Sequence, residues 1–436
     1  MRKLRILTCA YACVQEEGAA VAGGEAVLGW NMVQQLGRYH RVWVLTSASN
    51  RPGIEAELQR QPEPGLTFVY VELPHWLRPF LAFLGGIQFY AYLWQIQAYL
   101  AARKLHAQVK FEAFHHLTYA NDWMASYIGA LLPVPYLRGP GGGAHRTPRA
   151  FLKEYSFLAR VWERFRSLGQ WVLRHDPVFL LGQRRARVIL LCNREAADAV
   201  PTRLRGKVQL FPVNGISAED LRIFAGTNGK RGPADERCRD RQELSETCFH
   251  VLSAGKLIGL KGHALAIRGV ARVARRHSDL RFTIVGDGPE RDRLENLIRE
   301  LGLEKQVELK RWIPRQELLA LMRHCDTFLF PSLRDGGGAV VVEAMAAGKP
   351  VICMDLAGPG LHITENCGIK IPPHSPDKAI ELIAQAVERL YEDRNLRVMM
   401  GEAGRARAEE VYRWDHLGDR LLKIYQEVLA VPGNDV

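Results

Sequence analysis

The sequence predicts an α/β protein built from two Rossmann-like halves, each a parallel sheet covered by helices on both faces. Short apolar runs typical of buried strands, such as VWVLT (42–46) and FTIV (282–285), alternate with helical stretches along the chain. Glycine-rich loops follow several of these runs. With 436 residues the chain is long enough for two or three domains, and its 47% hydrophobic content is ample for buried cores.

Cysteine usage and the first residues bear on the compartment. The eight cysteines are scattered, with neither a C-x-x-C pair nor zinc spacing, so we expect a reducing cytoplasmic compartment and no metal site. The apolar run near the start ends at Gln15, and we interpret residues 4–9 as a first buried strand rather than a signal peptide. No uninterrupted apolar run approaches the ~20 residues of a transmembrane helix.

The net charge of +12 is concentrated between Arg138 and Lys207, where 15 Lys or Arg face five Asp or Glu. Such a surface suggests an anionic partner, for example phospholipid headgroups, a lipid-linked phosphate or an acidic glycan. Solvated helix faces are an equally good explanation. Nucleic acid is not expected as a partner, because no RNP-like, zinc-finger or recognition-helix pattern accompanies the charge.

Residues 74–105 are dense in aromatic side chains. They include Trp76, Phe80, Phe83, Phe89, Tyr90, Tyr92, Trp94 and Tyr99. This density is typical either of a belt at a lipid interface or of helices that pack into a core. We favour core packing, and the lipid interface stays as the alternative.

The most informative stretch is 326–353, DTFLFPSLRDGGGAVVVEAMAAGKPVIC. It predicts a buried strand (327–330), a loop with three consecutive glycines (336–338), a helix from about Ala339 and a second strand from Pro350. The glycines would let the backbone approach a ligand, and the start of the helix would direct amides and its positive dipole end toward an anionic group.

Two carboxylates, Asp335 and Glu343, bracket this glycine turn at a separation of eight positions. Both would repel a single phosphate. A molecule with a diphosphate in its middle and a hydroxylated sugar at each end suits an amide cradle flanked by two hydroxyl acceptors. Nucleotide-sugars have that shape, so we expect one as the ligand.

The stretch closely resembles the donor-site motif of family 4 retaining glycosyltransferases, in which two acidic residues eight apart, usually both Glu, precede Ala-Met. Here Asp335 takes the first position. The resemblance covers nearly the whole chain and is strongest from Gly255 to Gly360. It implies the GT-B fold, in which two Rossmann-like domains face each other across a cleft, with the donor on the C-terminal domain and the acceptor on the N-terminal one.

The resemblance also implies domain limits. We expect an N-terminal domain over residues 1–212, completed by a C-terminal helix over 407–430. A linker with an exposed charged insertion follows over 213–246. The donor domain would then occupy residues 247–406.

In the N-terminal half, the resemblance assigns roles to three short patterns. Gly23 and Gly24 follow the first strand, and a glycine pair at this place faces the cleft in the family. In HHLTY, the pattern places His116 beside the transferred sugar. Neighbouring strand residues point to opposite faces, so His115 is left as a packing residue. The loop that contains Gly141 and Gly142 resembles a glycine loop on the acceptor side. Each pattern is also compatible with a turn or a structural histidine.

In the C-terminal half, the loop after Gly255 carries a basic residue and, five positions later, a lysine. Here these are Lys256, where the family normally has Arg, and Lys261. Both are expected to reach the donor diphosphate, with Gly337 and Gly338 beside them. Gly286 and Gly288 begin a dinucleotide fingerprint, but Arg291 occupies its third glycine position, so NAD is not expected.

The resemblance implies transfer of a sugar from a nucleotide diphosphate sugar, UDP- or GDP-linked, to a glycan, lipid-linked or small-molecule acceptor with retention of configuration. Bacterial cell-surface polysaccharide or glycolipid synthesis would be the setting, in the cytoplasm or peripherally on the inner face of the plasma membrane. We expect Lys261, Asp335 and His116 to be catalytic. No cofactor or metal is expected, because the chain has no D-x-D pattern.

Two other classes remain open. Another GT-B enzyme, such as a nucleotide-sugar epimerase or a phosphorylase, shares the fold but not the Asp335/Glu343 spacing. A noncatalytic nucleotide-sugar-binding scaffold is the second possibility, if Asp335 and Lys256 mark a decayed site.

Overall fold

A computed structural model describes residues 2–14, 24–74, 86–155, 157–225 and 248–430. The chain forms two compact units. The N-terminal unit comprises Met1–Ala144, Phe165–Val213 and Trp414–Val436. The C-terminal unit comprises His145–Arg164 and Asn214–Arg413.

The N-terminal unit is built on a seven-stranded parallel sheet. Its strands are β1 Arg5–Cys9, β2 Arg41–Ser47, β3 Leu66–Val71, β4 Ala113–His116, β5 Tyr136–Gly141, β6 Ala186–Leu191 and β7 Val208–Leu210. The spatial order is β3-β2-β1-β4-β5-β6-β7. All four residues of β4 are buried, as expected for a central strand of a sheet covered on both faces.

Helices connect these strands along the chain. In chain order they are α1 Gly24–Tyr39, α2 Arg51–Arg60, α3 Gly86–Val109, α4 Tyr127–Leu131, α5 Phe157–Arg174, α6 Pro177–Arg185 and α7 Arg194–Asp198. The residues of α5 are divided between the two units.

The aromatic stretch packs in the way that we favoured over the lipid interface, as far as it is described. Trp94 of α3 is fully buried and donates a hydrogen bond from Nε1 to the Val71 carbonyl at 2.8 Å. Tyr90, Tyr92 and Tyr99 pack partly buried against the same core. Trp76, Phe80 and Phe83 lie outside the described residues.

The C-terminal unit holds a six-stranded parallel sheet. Its strands are β8 His250–Ala254, β9 Arg281–Val285, β10 Val307–Lys310, β11 Thr327–Phe330, β12 Val351–Met354 and β13 Gly368–Ile371. The helices that follow α7 are α8 Ala218–Ala225, α9 His263–Ala274, α10 Arg291–Glu300, α11 Arg315–His324, α12 Ala339–Ala346, α13 Ala357–His362, α14 Pro376–Glu392, α15 Arg394–Val411 and α16 Trp414–Ala430. The spatial order of the strands is β10-β9-β8-β11-β12-β13.

Each sheet reverses its strand order at one point: between β1 and β4 in the N-terminal unit, and between β8 and β11 in the C-terminal unit. Ligands of open parallel sheets bind in the crevice outside the carboxyl ends of the strands at such a reversal. The two reversal points, which we call the N-terminal and C-terminal switch points, therefore fix where a site can form.

The end of the chain differs from the single helix expected over 407–430. Helix α15 ends at Val411 and α16 begins at Trp414. Ile216 pairs with the two residues between them, through its amide to the Tyr412 carbonyl at 2.7 Å and through an isolated bridge to Arg413. The helix therefore breaks where the chain passes from one unit to the other. Residues 226–247, which hold most of the charged insertion, lie outside the described residues.

Among the described helices, none has both the length and the apolar character that crossing a membrane requires.

Candidate functional site

At the C-terminal switch point, the loop after β8 and the loop after β11 lie against each other. The Leu260 carbonyl accepts hydrogen bonds from the Leu333 amide at 2.8 Å and from Ser332 Oγ at 3.3 Å. Gly262 has φ 69°, and a Cβ there would lie 2.2 Å from the Pro331 carbonyl oxygen. Only glycine allows this approach, which brings Lys261 next to the second loop.

Asp335 is the centre of the contacts in this loop pair. Its Oδ1 accepts hydrogen bonds from the Gly337 amide at 3.2 Å and the Gly338 amide at 2.7 Å, and its Oδ2 forms an ion pair with Lys261. Gly338 adopts the left-handed conformation (φ 64°) that begins α12. Asp335 therefore occupies two amides of the glycine loop, which lie just before the first residue of α12.

The charge of Asp335 is favoured by this arrangement. Burial alone raises the pKa of the carboxyl, but the Lys261 ammonium and the Gly338 amide outweigh it and hold the pKa below its usual range. Lys261 also lies over the Phe330 ring, 5.0 Å from its centroid. A fixed cation thus stands beside Asp335 at the C-terminal switch point.

Glu343 of α12 is held by an arginine that the sequence analysis did not identify. Arg315 donates to Glu343 Oε1 from Nε at 3.0 Å and from Nη2 at 2.8 Å, and from Nη1 to Asp220 at 2.6 Å. Burial alone lowers the pKa of Arg315, but the two carboxylates reverse this and raise it. Glu343 is therefore a positioned, charge-balanced carboxylate. No pattern pointed to Arg315, which lies 28 residues from one partner and 95 from the other.

The other predicted residues of this loop are placed differently. Gly255 follows β8, and its amide donates to the Val285 carbonyl at 3.0 Å. The Lys256 side chain is exposed, whereas Lys261 is largely buried. His263, at the start of α9, is buried beside Lys261, and burial, followed by the Lys261 charge, lowers its pKa to about 4.

A buried histidine contacts the backbone of the glycine loop. His362 of α13 contacts the Gly337 carbonyl through Nε2 and the Tyr412 hydroxyl through Nδ1 at 2.9 Å. Since a carbonyl only accepts, Nε2 carries the proton and Nδ1 accepts from the tyrosine. Burial lowers the pKa of His362 to about 4. The ring is therefore a neutral support for the loop, which the sequence analysis did not identify.

At the N-terminal switch point, the predicted His116 is fully buried at the end of β4. Gln95 of α3 donates to its Nε2 at 3.1 Å. Burial, together with the nearby charges of Arg138 and His115, lowers the pKa of His116 to about 3. The ring is therefore neutral at physiological pH.

His115 points to the opposite face of the sheet, as the alternation of strand residues predicts. Its Nε2 donates to the Gly139 carbonyl at 2.7 Å, and its Nδ1 accepts from the Tyr425 hydroxyl of α16 at 2.9 Å. Burial lowers its pKa to about 4. His115 thus links β5 to α16.

The glycines predicted on this side are tightly packed where they are described. A Cβ on Gly141 would lie 2.1 Å from the Ala120 carbonyl oxygen, and one on Gly142 would lie 2.7 Å from Cys192 Sγ. Gly24 begins α1 and has nothing within 4 Å of a Cβ position. Gly23 lies outside the described residues.

The structure therefore assembles part of the predicted set. Lys261, Asp335, Gly337 and Gly338 contact one another directly. Glu343 has a separate partner, Arg315. His116, Gly141 and Gly142 lie at the carboxyl ends of β4 and β5 in the other unit.

Residues 235–407 match the family model described as "Glycosyl transferases group 1". The chain is 29% identical over 267 residues to alpha-D-kanosaminyltransferase of Streptomyces kanamyceticus, a match that covers 60% of this chain and 64% of that protein. It is 30% identical over 203 residues to D-inositol 3-phosphate glycosyltransferase of Corynebacterium aurimucosum, covering 45% and 47%. The chain thus spans from about half to just under two thirds of these curated relatives.

Solved structures share the fold along nearly the whole chain. A glycosyltransferase from Rickettsia africae matches with a TM-score of 0.67 at 15% identity, over 99% of this chain and 100% of that one. HepE from Anabaena, solved in complex with UDP, matches with a TM-score of 0.61 at 16% identity, over 98% and 100%. With the two parallel sheets, these matches confirm the predicted GT-B fold.

Proposed function

We propose that this GT-B protein, which carries a group 1 glycosyltransferase region, moves a sugar from a nucleotide diphosphate sugar to an acceptor hydroxyl with retention of configuration, as family 4 enzymes do. The observation that carries the proposal is the Lys261–Asp335 ion pair at the C-terminal switch point, inside the matched region. A fixed cation beside a carboxylate suits a ligand that joins an anionic diphosphate to a hydroxylated sugar.

Lys261 and Lys256 would hold the diphosphate. The glycine amides already donate to Asp335, so the charge balance falls on the two ammonium groups. Each charge-assisted contact contributes roughly 1.5 to 3 kcal/mol. Asp335 would accept a hydroxyl of the transferred sugar, and Glu343, oriented by Arg315, would accept from the ribose hydroxyls.

The retaining step would proceed by front-face attack. The acceptor oxygen forms a bond to the anomeric carbon as the bond from that carbon to the diphosphate oxygen breaks, and the acceptor proton passes to the leaving phosphate oxygen. Lys261 would stabilise the charge that develops on that oxygen. We propose that the two lysines serve in place of a divalent metal.

The N-terminal switch point would receive the acceptor. His116 is assigned to the sugar as a neutral hydrogen-bonding group, since its pKa of about 3 excludes an imidazolium at neutral pH. The glycan, lipid-linked or small-molecule acceptor would bind beside the segment that contains Gly141 and Gly142. The proposed setting is the synthesis of a bacterial cell-surface polysaccharide or glycolipid.

We further propose a cytoplasmic location with peripheral contact to the inner face of the plasma membrane. The free thiols of the seven cysteines in the described residues are compatible with a reducing compartment.

The proposal is tested by a thermal-shift screen of UDP-, GDP- and ADP-sugars, followed by an assay of donor hydrolysis without acceptor. A ligand at 100 times its Kd stabilises the fold by roughly 2.7 kcal/mol. UDP-sugars come first, because the structural neighbour HepE was solved with UDP and with UDP-glucose. Lys261→Ala should lose the shift, and the exposed Lys305→Ala should keep it.

Three outcomes would contradict the proposal. A shift without slow donor hydrolysis favours the noncatalytic scaffold. Release of free epimerised nucleotide-sugar favours the epimerase. A parent protein that shifts with none of the donors lacks the proposed site.

A further inference from the structure

Helix α5 exposes its apolar side to solvent. Among the described residues, ten large apolar side chains are more than half exposed, and seven of them lie on this one helix. These are Phe157, Leu158, Trp162, Phe165, Leu168, Trp171 and Val172. At 3.6 residues per turn they form one continuous face. A helix of a globular protein ordinarily turns such a face toward the core.

The polar side of α5 is the buried side. Glu163 forms an ion pair with Arg334, Gln170 is buried, and Arg174 forms an ion pair with Asp122 at 2.5 Å. Turning the apolar face inward would break both ion pairs and leave partly buried charges without partners. The ion pairs therefore hold the polar side of the helix inward, and no described residue covers the apolar face.

The exposed charges of α5 are both basic. Arg160 and Arg164 are exposed along one edge of the apolar face, and the acidic residue of the helix, Glu163, is on the buried side. Arg146 and Arg149, which precede the helix, are also exposed. The helix lies within the region from 138 to 207, where 15 basic residues face five acidic ones. The open side is thus complementary to a negatively charged surface.

We propose that α5 docks the protein on an anionic lipid bilayer, lying in the headgroup plane with its apolar side chains inserted. Tryptophan favours the boundary between headgroups and acyl chains, and Trp162 and Trp171 are both on the inserted face. A second copy of this chain is a poorer occupant, because pairing two such faces would bring four arginines together. The inference stands apart from the proposed transfer reaction.

The test is flotation of the full chain with vesicles of equimolar phosphatidylcholine and phosphatidylglycerol, compared with phosphatidylcholine alone. The parent should float only with the anionic vesicles. Arg160→Gln with Arg164→Gln should lower the partition coefficient about 25-fold at low salt, from about fivefold per cation. Trp162→Ser with Phe165→Ser should lower it by at least about tenfold.

Matched controls come from exposed residues elsewhere. Trp312 is 65% exposed and lies outside α5, so it tests whether any exposed tryptophan is sufficient for vesicle binding. Trp312→Ser should float like the parent. Arg275→Gln, at an exposed position of the C-terminal unit, should change the partition at most slightly. The α5 variants should keep the parent Tm in vesicle-free buffer, because the replaced side chains are exposed.

Four results would overturn the inference. The first two are a parent that does not float and equal flotation with neutral vesicles. The third is a loss of partition coefficient in Trp312→Ser equal to that of the α5 variants. The fourth is a Tm in the α5 double variants lower by several degrees, which would mean that the chain itself covers the face. A self-association seen by sedimentation and abolished by Trp162→Ser would assign the face to a second copy. Donor hydrolysis measured on the same samples reports separately on the proposed reaction.

Discussion

The two switch points share one arrangement, a buried neutral histidine between a glycine carbonyl and a tyrosine hydroxyl. They differ in the other polar side chains that lie near it. In the N-terminal unit, His115 donates to the Gly139 carbonyl of β5 and accepts from Tyr425. In the C-terminal unit, His362 does the same with the Gly337 carbonyl and Tyr412. Each neutral ring holds a glycine carbonyl near the carboxyl end of a sheet. The same hydrogen-bonding arrangement therefore stabilises the backbone near the carboxyl ends of the strands in both sheets.

The side chains that line the two edges are of different kinds. The C-terminal edge carries Lys261, Asp335 and the Arg315–Glu343 pair, whereas His116 at the N-terminal edge is neutral and hydrogen-bonded to Gln95. The C-terminal edge thus holds a fixed cation beside a carboxylate, whereas the predicted residue at the N-terminal edge is a neutral ring. Chemistry in this fold is set by the loops and not by the sheet.

The largest expected effect concerns four of the buried histidines, two in each unit. His115, His116, His263 and His362 have pKa values lowered to about 3 or 4 from 6.5. Below pH 6.5 the unfolded chain binds more protons than the folded one, so stability present at pH 7 is lost as the pH falls toward 4. At pH 5 each histidine should cost about 2 kcal/mol, roughly 7 kcal/mol in total relative to pH 7.

Denaturant titrations at pH 7 and pH 5 check this. Gln can replace both hydrogen bonds of either supporting ring, so His115→Gln and His362→Gln should each remove about 2 kcal/mol of the pH dependence. Exposed His374→Gln should leave it unchanged. If His374→Gln removes as much of the pH dependence, the buried histidines are not its cause. Unequal effects of His115→Gln and His362→Gln would show that the two rings do not play the same role in their units.

The second-largest effect is expected at β4, where His116 and His115 point to opposite faces of the sheet. His116→Ala should lower kcat by about 10²- to 10³-fold, as expected for the loss of one preorganised group near the developing charge. His115→Ala should act mainly through a lower Tm, because it removes the link between Gly139 and Tyr425. Kinetics on both variants at a temperature where both are folded would measure this. Equal losses of kcat would withdraw the assignment of His116.

A third prediction divides the two carboxylates of the C-terminal edge. Glu343→Ala should weaken binding of the bare nucleoside diphosphate by roughly 1.5 to 3 kcal/mol, the value of a hydrogen bond to a charged group. Arg315→Met should do the same, because it releases Glu343 from its position. Asp335→Ala should leave that affinity nearly unchanged and lower turnover instead.

Calorimetric titration with the nucleoside diphosphate decides between these roles. With a deoxy-sugar donor that lacks the contacted hydroxyl, Asp335→Ala and the parent should converge in turnover. An equal loss of nucleoside diphosphate affinity in Asp335→Ala and Glu343→Ala would show that the two carboxylates do not divide the donor between them.

The smallest expected effect is that of metal removal. If Lys256 and Lys261 balance the diphosphate, EDTA should leave the transfer rate unchanged. Activity that EDTA abolishes and magnesium or manganese restores would assign the charge balance to a metal ion. Lys256→Arg offers a sharper comparison, since a guanidinium can bind the phosphate in a bidentate manner.

Much of the fold was predictable because its signals are local. Alternating apolar runs and glycine loops identified the parallel sheets, and the loop of 336–338 predicted where α12 begins. Long-range contacts carried no such signal. The sequence showed Glu343 but not Arg315, and it suggested glycine amides facing a ligand where Asp335 occupies them.

Helix α5 illustrates a second limit. Its apolar period is visible in the sequence, but periodicity does not say which face is covered. The ion pairs of Glu163 and Arg174, 171 and 52 residues from their partners, turn the polar side inward. Only the folded chain shows that the apolar side is left open.

The position of α16 in the N-terminal unit has a consequence for synthesis. Tyr425, Leu421 and Ile424 belong to the same core as Ile6 and Val44, although more than 370 residues separate them in the chain. On the ribosome, the first sheet therefore emerges long before the helix that covers one of its faces. The C-terminal unit, though made later, has its own complete core by Arg413. The first half of the nascent chain thus keeps part of this apolar core uncovered until residues 414–430 have been made, a state in which aggregation competes with folding.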